Sequence, residues 1–106
     1  MKKIVRIGET ERRARLDTDH DIVIYDSRAG RDCTRWTRLY AHRCRGSEIV
    51  FYEAYYTLWA NERNSIDVVT IDEAREAIEE NYDDLADGMD DETLAELGLL
   101  EPDALE

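Results

Sequence analysis

Apolar and polar residues alternate with a period of two from Thr34 to Arg43, placing Trp36, Tyr40 and His42 on one face and Leu39 and Ala41 on the other. Glu48 to Trp59 forms a second extended run, and Arg45-Gly46-Ser47 between them supplies a turn. The pattern predicts a β-hairpin with a short glycine-containing loop. With Cys44 opposite Ser47, Trp36 faces Tyr55, Arg38 faces Glu53 and Tyr40 faces Phe51. A three-residue loop shifts this register by one.

Shorter patterns flank the hairpin. Lys3 to Ile7 reads as a strand ended by Gly8, and Arg13 to Leu16 as a second strand in which Ala14 and Leu16 alternate with arginines. A turn of helix opened by Thr10 is the alternative for that second segment. Ile22-Val23-Ile24-Tyr25 is a run of β-branched and aromatic residues suited to a strand buried on both faces, and Ile66 to Val69 reads as the last strand.

Helical spacing then takes over. Thr70-Ile71-Asp72-Glu73 matches a capping box, and Ile71, Ala74, Ile78, Tyr82 and Leu85 fall on one helical face that Gly88 ends. Asp90 or Asp91 opens a shorter helix carrying Leu94 and Leu97, closed by Gly98. Strands first and helices last predict an α+β fold. The expected architecture is an antiparallel sheet of about five strands with a prominent central hairpin, followed by two C-terminal helices on one face. One domain is expected over 1–100, with a β-rich basic part (1–69) and an acidic helical part (70–100), followed by a flexible tail at 101–106.

Composition sharpens this picture through charge. The 106 residues hold 14 basic and 26 acidic side chains, a net of −12, and twelve of the bases are arginine. Residues 1–47 carry +5 and residues 48–106 carry −17. Asymmetry of this size marks an interacting surface or an acidic tail. The total excludes an overall basic nucleic-acid binder. Acid excess with arginine in place of lysine fits either adaptation to high salt or an ordinary acidic protein of arginine-rich coding bias. Arg6 interrupts the N-terminal apolar residues, so no signal peptide is read, and no apolar run approaches a membrane span. A soluble cytoplasmic protein with no membrane association and no cofactor is expected.

Seven of the nine aromatic residues lie on the central hairpin. The strand ending at Trp59 is apolar or aromatic on both faces, and the two helices can cover only one. The expected use of the other is protein binding or self-association through Trp36, Tyr40, Phe51, Tyr55 and Trp59, with a homodimer as the simplest form. The alternative is that the N-terminal strands curl over and bury that face internally.

Arg28, Arg31, Arg35, Arg38, Arg43 and Arg45 interleave with Trp36 and Tyr40, a pattern that suits phosphates and unpaired bases. The second reading is therefore a nucleic-acid-binding regulator whose acidic C-terminus competes with the ligand. Pairing of these arginines with the protein's own carboxylates is the competing explanation.

A third reading, a small metal protein or enzyme, rests on Cys33, His42 and Cys44. Their spacing lacks the paired Cys-x2-Cys of a zinc knuckle, and His20 stands apart. Asp17, Asp19 and Asp21 alternate as calcium ligands do, but Ile22 and Arg28 occupy the positions where a calcium loop needs glycine and glutamate. Ser27-Arg28-Ala29-Gly30 has neither the lysine nor the glycines of a phosphate-binding loop. Cys33 or Cys44 with His42 is the available nucleophile and base pair, and no oxyanion hole is legible beside it. The expectation is a non-enzymatic interaction protein.

Overall fold

The structure is a computed structural model that describes residues 1–7, 12–28, 33–44, 48–86 and 88–99. The hairpin turn at 45–47 and the tail at 101–106 lie outside the described residues, as does most of the loop after Asp26. Six strands form: β1 (Lys2–Arg6), β2 (Arg13–Asp17), β3 (Ile22–Asp26), β4 (Arg35–Arg43), β5 (Ile49–Thr57) and β6 (Ser65–Val69). Two helices follow, α1 (Ile71–Glu80) and α2 (Asp91–Glu96). The fold is α+β, with one strand more than the expected five. The strands divide into an antiparallel β1-β2 ribbon and an antiparallel four-stranded sheet in the order β3-β4-β5-β6.

The central hairpin forms, in a register one residue away from the first expectation. Trp36 pairs with Tyr56, Arg38 with Ala54 and Tyr40 with Tyr52. This register brings rings of like size together: Trp36 stacks on Tyr56 at 5.4 Å and Tyr40 on Tyr52 at 5.1 Å. A slip of one residue would turn every β5 side chain to the wrong face and break both stacks. Arg38 accordingly reaches sideways to Asp26 on β3, at 2.9 Å, rather than across to Glu53.

Both faces of the sheet are covered from within the chain. On one, Leu39, Ala41 and Phe51 meet Ala74, Ile78, Leu94 and Leu97 of the helical segment. On the other, Tyr40, Tyr52, Ala54 and Ile66 meet Ala14 and Leu16 of the ribbon. The uncovered aromatic face expected from the strand pattern is thus corrected: the N-terminal ribbon covers it. Burying a side chain such as Leu16, which has no exposed surface, contributes about 1.5–3 kcal/mol. Lys3 adds a polar tie, its Nζ donating to the carbonyl of Ile66 on edge strand β6 at 2.9 Å. Three layers result, and the shortest dimension of the molecule is 21 Å.

Helix α1 begins where the capping box placed it, with Thr70 Oγ1 accepting from Glu73 N–H and Glu73 returning the bond. It ends at Glu80, well before Gly88. Asn81 closes it, donating from its side-chain amide to the Ala77 carbonyl at 2.8 Å. A single 3-10 turn (Tyr82–Asp84) then redirects the chain so that Leu85 bridges Tyr25 on β3. Tyr82 therefore leaves the expected apolar face and is exposed. Asp90 caps α2, and Gly98 follows it at φ +78°, the left-handed conformation that closes a helix at low cost for glycine.

Candidate functional site: the arginine and aromatic end of the sheet

The end of β3, the start of β4 and the end of β5 meet at one end of the sheet, where arginine and aromatic residues interleave. On the ribbon side, the Arg28 guanidinium sits 4.2 Å from the centre of the Trp36 ring, and that of Arg38 sits 5.1 Å from the centre of Tyr56. Trp36 and Tyr56 stack on each other, so the order is arginine, tryptophan, tyrosine, arginine. Asp26 organises the base of this stack: Oδ2 accepts from Arg38 Nε and Oδ1 from the Arg28 backbone N–H, each at 2.9 Å. Cation–π contacts of this kind contribute about 0.5–1 kcal/mol at exposed sites and more when desolvated.

The helix side of the same end is built on Arg35 and Glu62. Arg35 donates to both carboxylate oxygens of Glu62, at 2.8 and 2.5 Å, and Thr57 Oγ1 donates to one of them at 2.6 Å. The guanidinium and the hydroxyl hold the Glu62 carboxyl down to about 2. Arg35 also lies 5.5 Å from the Trp59 ring, whose indole N–H donates to Thr34 Oγ1 at 3.1 Å. A groove of about 570 Å³ opens here, lined by Ser27, Arg35, Trp36, Tyr55, Tyr56 and Glu62 among others. Leu58 and Trp59 protrude beside it, 63% and 52% exposed. The indole nitrogen of Trp36 is buried and has no hydrogen-bond partner among the described residues.

Of the residues expected to bind a partner, Trp36, Tyr55 and Trp59 gather at this end. Tyr40 and Phe51 do not: they are buried on opposite faces of the sheet, in the ribbon core and the helix core. The alternation of strand side chains separates them, and each is core. Among the expected phosphate ligands, Arg28, Arg35 and Arg38 are here, while Arg43 lies at the far end of β4. Arg31 and Arg45 lie outside the described residues. Tyr56 and Glu62 complete the site and were not singled out in the sequence, because their roles follow from the hairpin register and from a contact across 27 positions.

Cys33, His42 and Cys44 are not brought together. Cys33 precedes β4, whereas His42 lies near its far end, seven strand steps and roughly 23 Å from Arg35. Among the described residues, no three His, Cys, Asp or Glu side chains converge as metal ligands. His42 instead meets Asp21, with Nδ1 2.7 Å from Oδ1, and burial followed by the nearby Glu48 pushes the Cys44 thiol up toward its neutral form. Asp21 is a structural anchor. Its Oδ2 accepts from the Tyr52 hydroxyl at 2.6 Å and from the Asp17 N–H at 2.8 Å. Asp17 in turn accepts from Asp19 N–H and meets His20, so these alternating aspartates shape a turn.

No helix among the described residues is long and apolar enough to cross a membrane. No protein-family model matches the chain, and neither a curated protein nor a solved structure shows significant similarity to it.

Proposed function

We propose that this protein is a small non-enzymatic binding module whose partner is another protein, in the first instance a second copy of itself. The partner surface is the arginine and aromatic end of the sheet. The observation that carries this reading is the exposure of Leu58 and Trp59 beside a groove walled by tryptophan, tyrosine and arginine. Those three residue types dominate the energetic centres of protein interfaces. The long side chains are also held before any partner arrives, Arg38 by Asp26 and Arg35 by Glu62, which lowers the entropy lost on association.

Stacking of unpaired bases at this end is the weaker reading, since Arg28, Arg38 and Arg35 already lie over Trp36, Tyr56 and Trp59. A catalytic reading is weaker again: His42 is engaged with Asp21, and the Cys44 thiol is held toward its unreactive form. Light scattering at micromolar concentration tests the proposal. The expected mass is twice the 12.4 kDa of one chain, falling to that of one chain in Trp59→Ala and in Leu58→Asp. A wild-type protein that stays at the mass of a single chain would overturn self-association.

A further inference from the structure

The outward face of the β1-β2 ribbon carries charge that the rest of the fold leaves unused. The inward face is occupied, because Ala14 and Leu16 are buried against the sheet. Alternation therefore turns Arg13 and Arg15 outward on β2, and pairing sets Arg6 opposite Arg13, Ile4 opposite Arg15 and Lys2 opposite Asp17. Lys2, Arg6, Arg13 and Arg15 are all exposed, and none forms a side-chain hydrogen bond or salt bridge with the described residues. Asp17 is the one carboxylate among the described residues of this face; it accepts the Asp19 N–H, meets His20 and attracts Lys2 electrostatically from the opposite strand, which leaves the three arginines as the cations it does not draw on. Ile4 stands among the cations, 65% exposed.

The acidic half of the chain is held away from this face. The described part of residues 71–99 carries eleven acidic side chains against Arg75 alone, and its helices pack on the opposite side of the four-stranded sheet. Layers about 10 Å apart set the ribbon roughly 20 Å from the helices, beyond twice the Debye length of about 8 Å at physiological salt. The carboxylates therefore do little to cancel the field over the ribbon.

We propose that this ribbon face docks on the phosphate backbone of double-stranded nucleic acid. Three of its four cations are arginines, whose planar forks match phosphate oxygens. Strand rise sets Arg13 and Arg15 about 6.8 Å apart, close to two base-pair steps of about 3.4 Å. A two-stranded ribbon also fits the major groove, about 12 Å wide. The face carries no aromatic side chain, so it lacks both the stacking platform of a single-strand binder and the aromatic anchors of a protein interface.

Fluorescence anisotropy with a labelled duplex of mixed sequence tests this in the full chain. Four phosphate contacts predict a log affinity against log salt slope of about −3.6, a loss of roughly a hundredfold between about 50 and 200 mM salt. Arg13→Gln with Arg15→Gln halves that slope, and Arg6→Gln with Arg15→Gln does the same, in variants whose circular dichroism and thermal unfolding match the wild type. Three results would overturn the proposal: no duplex binding at low salt, tighter binding of the corresponding single strand, or a slope unchanged in both variants. Loss of self-association in those variants, with duplex binding intact, would assign the face to the acidic helices of a second copy instead.

Discussion

The hydroxyl of Tyr52, in the middle of β5, donates to the carboxylate of Asp21 at the mouth of β3, 2.6 Å away and 31 positions earlier in the chain. The same carboxylate takes the Asp17 N–H at the end of the ribbon and meets His42 on β4. One nearly buried aspartate thus fixes where the ribbon leaves the sheet, and it does so with partners from three strands. Removing one partner from such a cluster leaves the others short of a bond in a place water reaches poorly.

Tyr52→Phe keeps the ring and its stack on Tyr40 but deletes the donor. A hydrogen bond to a charged group contributes about 1.5–3 kcal/mol, and a loss of that size in urea unfolding is expected. A change near zero would show that the Tyr52 to Asp21 contact adds nothing to stability.

Covering of the sheet by the ribbon predicts a contrast between neighbouring strands. Leu16→Ala leaves a cavity in the ribbon core and should cost about 2–5 kcal/mol. Ile4→Ala, on the outward face of the paired strand, should stay within about 0.5 kcal/mol. Equal effects would mean that the ribbon does not rest on the sheet in this orientation.

Glu62 should remain ionised through moderate acid. Its carboxyl is held to about 2 in the folded chain against 4.5 ordinarily, chiefly by Arg35 and then by Thr57. A depressed folded value means the unfolded chain binds more protons in between, so the contribution of this pair is full above 4.5 and is lost as pH falls through about 2. Carboxyl-carbon NMR should show Glu62 titrating last among the glutamates, and Arg35→Ala should return it to the ordinary range.

Alkali should destabilise the fold. Burial raises Tyr25 and Tyr40 to about 12, and the hydrogen bond to Glu53 with partial burial does the same for Tyr55. Tyr52 is pushed up further still by burial and Asp21. Folded values above the ordinary 10.0 mean that the unfolded chain releases protons first, so this stabilisation is complete below about pH 10 and declines as pH rises through 12. Urea midpoints should fall over that window, while an ultraviolet titration of the native protein shows these phenols lagging.

Local chemistry made much of this legible in advance. The capping box at Thr70 and Glu73, the left-handed closure at Gly98 and the alternation of Ala14 and Leu16 each depend on a few adjacent residues and stand as read. Helix α1 ends earlier than the apolar spacing predicts, because Asn81 closes it from its side chain before Gly88 can. At the candidate site, Arg28, Arg35, Trp36, Tyr56 and Trp59 were visible as residue types, but the meeting of Tyr56 with Trp36 and of Glu62 with Arg35 was not, since the first follows from hairpin register and the second spans 27 positions of chain.

By itself, the sequence determined the kinds of element, their order and the separation of a basic half from an acidic one, because propensity, alternation and charge are local quantities. The tertiary structure decided which neighbour each face received. Hairpin register and the covering of the second face depend on contacts between residues distant in the chain, and alternation is satisfied equally well by a partner or by the chain's own ribbon. Folding supplied the ribbon, and so moved the exposed surfaces to the end of the sheet and to the outer arginines of β2.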